Sequence, residues 1–257
     1  MSTPFEHRDA IRIVPLHGPA ELAALVGDAP AAAPTRLTYR GGPLMEAVSV
    51  CTIFWGEEWQ SAPNAGLIDP LNAFFTDILT SDLLDQLAEY SVPAHAIGHG
   101  SFDGTATVTS PAPGGTVSDA AIQRFLQNEL TSNAALPQPT PNSLYFVYLP
   151  AGVTVSQGGS RSCQAFCGYH SDIGGTVFYA VMPHPGCGGC TGNLSALDAL
   201  TSTSSHELCE AITDAVPGQG WYDDTHGEIG DICAWHTKQV GKWTVQLEWS
   251  NARGACV

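Results

Sequence analysis

The stretch "TSTSSHELCEAITD", residues 201–214, contains residue types that hold metal ions. His206 and Glu210 are four apart, so on a helix they are neighbours, about 5–6 Å between Cβ atoms, and both side chains can grip one ion. Glu207 lies one step round, where it could reach a water beside that ion. In the HExxH helix two histidines bind zinc and the intervening glutamate is the general base. Here Glu210 stands in place of the second histidine. A carboxylate oxygen is an acceptable zinc ligand, so the change keeps metal binding open with fewer nitrogen donors. The competing reading is an acidic surface helix.

Two flanking segments supply further donors. "GWYDDTHGEIGDICAW", residues 220–235, offers Asp223, Asp224, His226, Glu228 and Asp231, and "CQAFCGYHSDIGG", residues 163–175, adds His170 on a loop fixed by two cysteines. A solvated acidic loop and a hydrogen-bonded histidine are the alternatives. The acidic segment is not a calcium hand, because Tyr222 stands where an aspartate is required, five residues before Gly227. Calcium in another geometry stays open.

The elements that must position these residues are legible as patterns. Leu197, Leu200, Leu208, Ala211 and Ile212 form one apolar stripe of a helix over 194–214, with the chemistry on the opposite face. Buried strands are expected at 46–56, 143–150 and 175–183, where β-branched and aromatic residues run together. The spacing predicts one helix over 70–90, and a Ser N-cap opens another over 118–130. "AHAIGHGSFDGTATV", residues 94–108, reads as strand, turn and strand, since its glycines match neither phosphate-loop fingerprint. "CAWHTKQV" and "KWTVQLEWS" read as a terminal hairpin. Residues 1–40 read as an N-terminal arm, followed by one domain over 41–257. The expected fold class is α/β, a single layered domain of mixed β-sheet with packed helices and a zincin-like active helix.

Composition excludes some partners. Nine basic against 25 acidic residues give a formal net charge of −16, which repels nucleic acid and anionic membranes. No apolar run reaches the ~20 residues of a membrane span, and the first residues lack the apolar core of a signal peptide. Of the eight cysteines, all but Cys51 lie at or beyond position 163. They suit disulfides in a secreted protein. A structural zinc site on Cys163, Cys167, Cys187 and Cys190 is the alternative. No GxSxG elbow is present, and Cys167 lies too near His170 in sequence for a protease dyad. Asn193 opens a sequon that matters only in a glycosylating host.

From "YRGGPLMEAVSVCTIFWGEEW" through "LYFVYLPAGVTV" and "CGYH" to "SSHELCEAITDAVPGQGWYDD" and "GEIGDICAW", the chain resembles the phosphate-induced (Exordium-like) proteins and their microbial zincin-like relatives. The resemblance covers residues 39–235 and implies functional roles for His170, His206, Glu207 and Glu228. Position 210 is not part of the plant pattern.

The combined expectation is a peptidase with one divalent metal, zinc, held by His206, His170 and Glu228. Glu207 is the general base, and Glu210 and Asp231 are reserve ligands or orienting carboxylates. The partner is a peptide or protein substrate. The second expectation is a noncatalytic extracellular module with a structural ion and Trp221, Trp235 and Trp249 facing a glycan. Nothing in the sequence sets the oligomeric state.

Overall fold

The computed structural model describes residues 13–15 and 35–257. Most of the expected arm, residues 1–40, lies outside the described residues. Its described end, residues 35–40, is tied to the body: Asn251 Oδ1 accepts from Leu37 N at 3.0 Å and Thr38–Tyr39 pairs with Trp221–Tyr222.

A six-stranded mixed sheet forms the centre. In chain order its strands are β1 (Ile13–Pro15), β2 (Ser49–Trp55), β3 (Ser101–Val108), β4 (Ser143–Leu149), β5 (Phe166–Ile173) and β6 (Val177–Pro183). They lie in the order β1-β5-β6-β4-β2-β3. β6, β4, β2 and β3 run parallel, while β5 is antiparallel to both β6 and β1. β4 and all of β2 beyond Ser49 are buried, the mark of central strands covered on both faces.

Alternation along these strands divides the core. Val50, Phe54, Phe146 and Tyr148 face α1 (Ala65–Ile78) and α3 (Ala196–Thr213). Cys51, Ile53, Trp55, Tyr145 and Val147 face α2 (Asp119–Ser132), where Trp55 stacks on Phe125 with ring centroids 3.9 Å apart. A terminal hairpin, β7 (Thr237–Val240) and β8 (Trp243–Gln246), packs on α3. The mixed α/β class and the layered arrangement are therefore observed.

Three elements differ from expectation. The helix expected over 70–90 starts at Ala65 and ends at Ile78, because Ser81 caps a new turn by accepting from Leu83 N. Residues 94–108 contain one strand, β3 from Ser101 to Val108, and His95 makes only an isolated bridge with Val92. "FCGYHSDI", expected as a loop, is the strand β5, whose Cys-Gly pair hid the alternating pattern.

Candidate metal centre

α3 begins where Ser195 Oγ accepts from Asp198 N at 3.1 Å. The apolar stripe is buried as expected, and so is the face that carries the chemistry: every residue from Ala199 to Thr213 is buried, which removes the competing reading of a surface helix. The polar side chains are absorbed by neighbours. Thr201 Oγ1 donates to Thr244 O at 2.8 Å, Ser204 Oγ meets Tyr148 Oη at 2.8 Å, and Ser205 Oγ accepts from Gln246 N at 2.9 Å. The helix is wedged between β5–β6 and β8, which places His206, Glu207 and Glu210 in a dry interior.

Three segments meet there. From β5, His170 Nδ1 lies 3.4 Å from both Glu207 Oε2 and Glu210 Oε2, and its Nε2 lies 3.5 Å from Glu228 Oε1. Within α3, His206 Nε2 lies 2.9 Å from Glu210 Oε1. From the loop after Trp221–Tyr222 come Glu228, fully buried, and Asp231, partly exposed, whose N–H donates to Glu210 Oε1 at 3.1 Å. Two groups of ligand atoms lie within 4.8 Å of one another: His170 with Glu210 and Glu228, and His206 with Glu210 and Asp231. Glu210, expected only as a reserve ligand, belongs to both.

The close pairs are not aligned as hydrogen bonds. His170 Nδ1, His206 Nε2, both oxygens of Glu207 and Glu228, and Glu210 Oε2 are buried without a hydrogen-bond partner. Leaving such groups unsatisfied costs about 1–3 kcal/mol each, more for a charge. Donors around a tetrahedral zinc at about 2.0–2.2 Å stand about 3.3–3.6 Å apart. The two 3.4 Å separations at His170 Nδ1 fall in that range, whereas Glu228 stands on the other ring nitrogen, Nε2, which also lies 3.2 Å from Asp214 O, and the 2.9 Å between His206 Nε2 and Glu210 Oε1 is shorter than it. Donor chemistry, burial and spacing thus fit a divalent cation. Imidazole favours zinc over calcium, which takes oxygen ligands.

Electrostatics carries the same signature. Burial pushes Glu207 up, and burial with the nearby Glu210 charge holds Glu228 well above the usual carboxylate range. At Glu210 burial is outweighed by the His206 and His170 charges, which hold its carboxyl low. Burial pushes both imidazoles down, but Glu228 raises His170 and Glu210 raises His206. A doubly protonated His206 would nevertheless set its Nδ1–H against the Gln246 amide Nε2, 2.8 Å away. The hydrogen-bond geometry favours a single proton on that ring.

The remaining predicted donors lie elsewhere. Asp223 Oδ1 closes a turn with His226, at 2.9 Å from its Nδ1, and Asp224 pairs with Arg40 at the surface. Cys163–Cys187 and Cys167–Cys190 are disulfides with Cα–Cα distances of 5.8 and 5.5 Å, and Cys233–Cys256 is a third. Their sulfurs are consumed, which removes the zinc site expected as an alternative on those cysteines. Trp221 and Trp249 pack on the α1–α3 core and Trp235 on the first two disulfides, so the three serve different clusters.

Three participants went unnoticed in the sequence. Gln246 on β8 touches His206 and Gly230, Glu248 is fully buried beyond it, and Asp214 Oδ1 accepts from Gln219 N at 2.9 Å. The alternating "WTVQLEWS" contained the signal, since a period-2 strand puts Gln246 and Glu248 on one face.

No family model matches the chain, and no curated protein matches it. Three disulfides are consistent with a secreted protein, and no helix among the described residues is long and apolar enough to cross a membrane.

Proposed function

We propose that the protein is a secreted, zinc-dependent peptidase with a zincin-like active helix, α3. The observation that carries this reading is the set of buried imidazole and carboxylate atoms without partners, gathered from α3, β5 and the 223–231 loop. His206, His170 and Glu228 would hold the cation, with Glu210 and Asp231 adding carboxylates. Zinc there would act as a Lewis acid on the scissile carbonyl and the attacking water. Glu207, buried with both oxygens unpartnered, takes the proton from that water and passes it to the leaving amine.

The edge of the sheet supports a peptide as substrate. β1 lies antiparallel on β5 with Ile13 opposite Tyr169, one residue from His170. The β5 edge thus accepts an extended backbone, here the chain's own, as a peptide-binding edge does. The resemblance to the phosphate-induced proteins singles out His170, His206, Glu207 and Glu228, and membership of that family is part of the proposal.

A second reading is favoured by one observation. His170, His206, Glu207 and Glu228 are each 0% exposed, as in a noncatalytic module whose ion is structural. Elemental analysis of purified and metal-stripped protein, paired with a peptide-library cleavage assay, separates the two. Zinc with cleavage that stripping abolishes supports the peptidase. Zinc without turnover on any peptide supports the structural ion, and absence of any metal overturns both.

A further inference from the structure

We infer that the centre is built for two divalent cations bridged by Glu210, an inference that rests on the metal-dependent reading above. The unpartnered donors outnumber the needs of one ion. Leaving aside Glu207, the proton acceptor, His170 Nδ1, His206 Nε2, both oxygens of Glu228 and Glu210 Oε2 lack hydrogen-bond partners, and Asp231 adds a further donor, whereas a tetrahedral ion takes about four.

The donors also sort in space. One group is His170, Glu210 and Glu228, all buried, and the other is His206, Glu210 and Asp231. Glu210 turns its oxygens apart, Oε1 lying 2.9 Å from His206 Nε2 and Oε2 lying 3.4 Å from His170 Nδ1. A carboxylate that offers one oxygen to each imidazole is arranged to bridge two ions. Two-ion hydrolytic centres use such sharing to clamp the attacking and leaving atoms.

Charge balance points the same way. Glu207, Glu210, Glu228, Glu248 and Asp231 bring five carboxyl groups beside two imidazoles that are neutral when they act as ligands. With all five ionised, one dication leaves three uncompensated in a medium where buried charge is costly, and two dications leave one. Asp214 needs no cation, since Gly218, Gln219 and Gly220 donate backbone N–H groups to it. The His170 ion is the enclosed one. The His206 ion, beside the partly exposed Asp231, is the one that exchanges with solvent.

The test is zinc stoichiometry on the full chain, loaded with zinc chloride, desalted and read by mass spectrometry against protein concentration. Wild type should hold about two zinc ions per chain, as a bridged two-ion centre does. Asp231→Asn and His206→Gln should each drop to about one, losing the exchangeable ion and keeping the enclosed one. Glu228→Gln should lose the other ion. Circular dichroism checks folding, and Asp231→Asn changes only a partly exposed side chain. One zinc in wild type, or two zincs retained in either His206→Gln or Glu228→Gln, overturns the bridged centre and leaves the metal-dependent reading standing. No zinc in wild type overturns both.

Discussion

Gln246 reaches from β8 to His206, its Nε2 lying 2.8 Å from His206 Nδ1 while donating to the Gly230 carbonyl at 2.9 Å. Its Oε1 accepts from Trp235 N at 3.3 Å, so two backbone partners fix the direction of the amide. With the amide so placed, the proton of a neutral His206 sits on Nε2. If His206 held a cation through Nε2, its proton would sit on Nδ1, and Gln246 would have to turn its oxygen toward the ring to accept it.

Gln246 is therefore expected to tune metal affinity without being a ligand. Gln246→Leu removes the group that orients His206 and should weaken zinc binding by about 10–100-fold, the usual cost of losing such a partner. Gln246→Glu offers His206 Nδ1–H an acceptor without turning, and should bind zinc more tightly than Gln246→Leu. Zinc titration against a competing chelator reads both. Equal affinity in the two variants would show that Gln246 has no orienting role.

Glu207→Gln separates holding a cation from using it. The amide keeps the side chain's shape and removes the proton acceptor, so zinc content should match wild type while peptide cleavage falls by about 10²–10⁴-fold. Loss of zinc together with activity would make Glu207 a ligand.

Gly230 and Gly168 let backbone approach the centre closely. A Cβ at position 230 would lie 2.6 Å from His206 Nδ1, and one at 168 would lie 2.7 Å from Thr203 Cγ2 and 3.2 Å from Glu207 Oε1. Gly230→Ala should displace the imidazole and lower zinc affinity, and Gly168→Ala should press α3 away from β5 and lower the melting temperature. Zinc titration and a thermal melt check the pair. Wild-type values for both variants would mean that the backbone at these positions gives way freely.

These close approaches show why the sequence revealed the parts more readily than their assembly. β2, β4, β6, α2 and α3 were legible because each is a long run with one period, and "HELCE" announced its chemistry through the four-residue spacing of His206 and Glu210. β5 was not legible, because a Cys-Gly pair interrupts the apolar pattern and the strand's order comes from pairing with β6 and from two disulfides. The burial of α3 on all sides was hidden too, since a Ser/Thr-rich face normally signals solvent. It is buried here because Tyr148, Thr244 and Gln246 supply the hydrogen bonds. Glu210 looked like a flaw in a motif, and its two-sided placement depends on His170 and the 228–231 loop, both distant in sequence.

The two cysteines outside disulfides, Cys51 and Cys209, are buried and should be inert in the folded protein. Burial, with a smaller contribution from Asp103, pushes the Cys51 thiol up from 9.0 to about 12, and burial raises Cys209 well above its ordinary value. A thiol reagent at pH 8 should label neither until denaturant is added, since the thiolate is the reactive form. For Cys51 the folded state keeps its proton where the unfolded chain has lost it. Its contribution to stability therefore falls as pH rises from 9 to about 12, and Cys51→Ala should flatten that alkaline decline. Rapid labelling of the native protein at pH 8 would contradict the buried placement.

Asp223 governs the acid side in the opposite sense. Burial pushes its carboxyl up, but N–H groups of Arg36, Thr225 and His226, donating at 3.0, 2.9 and 2.8 Å, outweigh it and hold the group at about 2 against an ordinary 3.8. A depressed folded value gives stability that is present above the unfolded value and lost as pH falls through the folded one. The stability difference between wild type and Asp223→Asn should thus be constant near neutrality and shrink between about pH 4 and pH 2. Urea midpoints of the two proteins across that range provide the measurement. A difference that stays constant down to pH 2 would mean that Asp223 stabilises the 223–227 turn by shape alone, with no contribution from its charge.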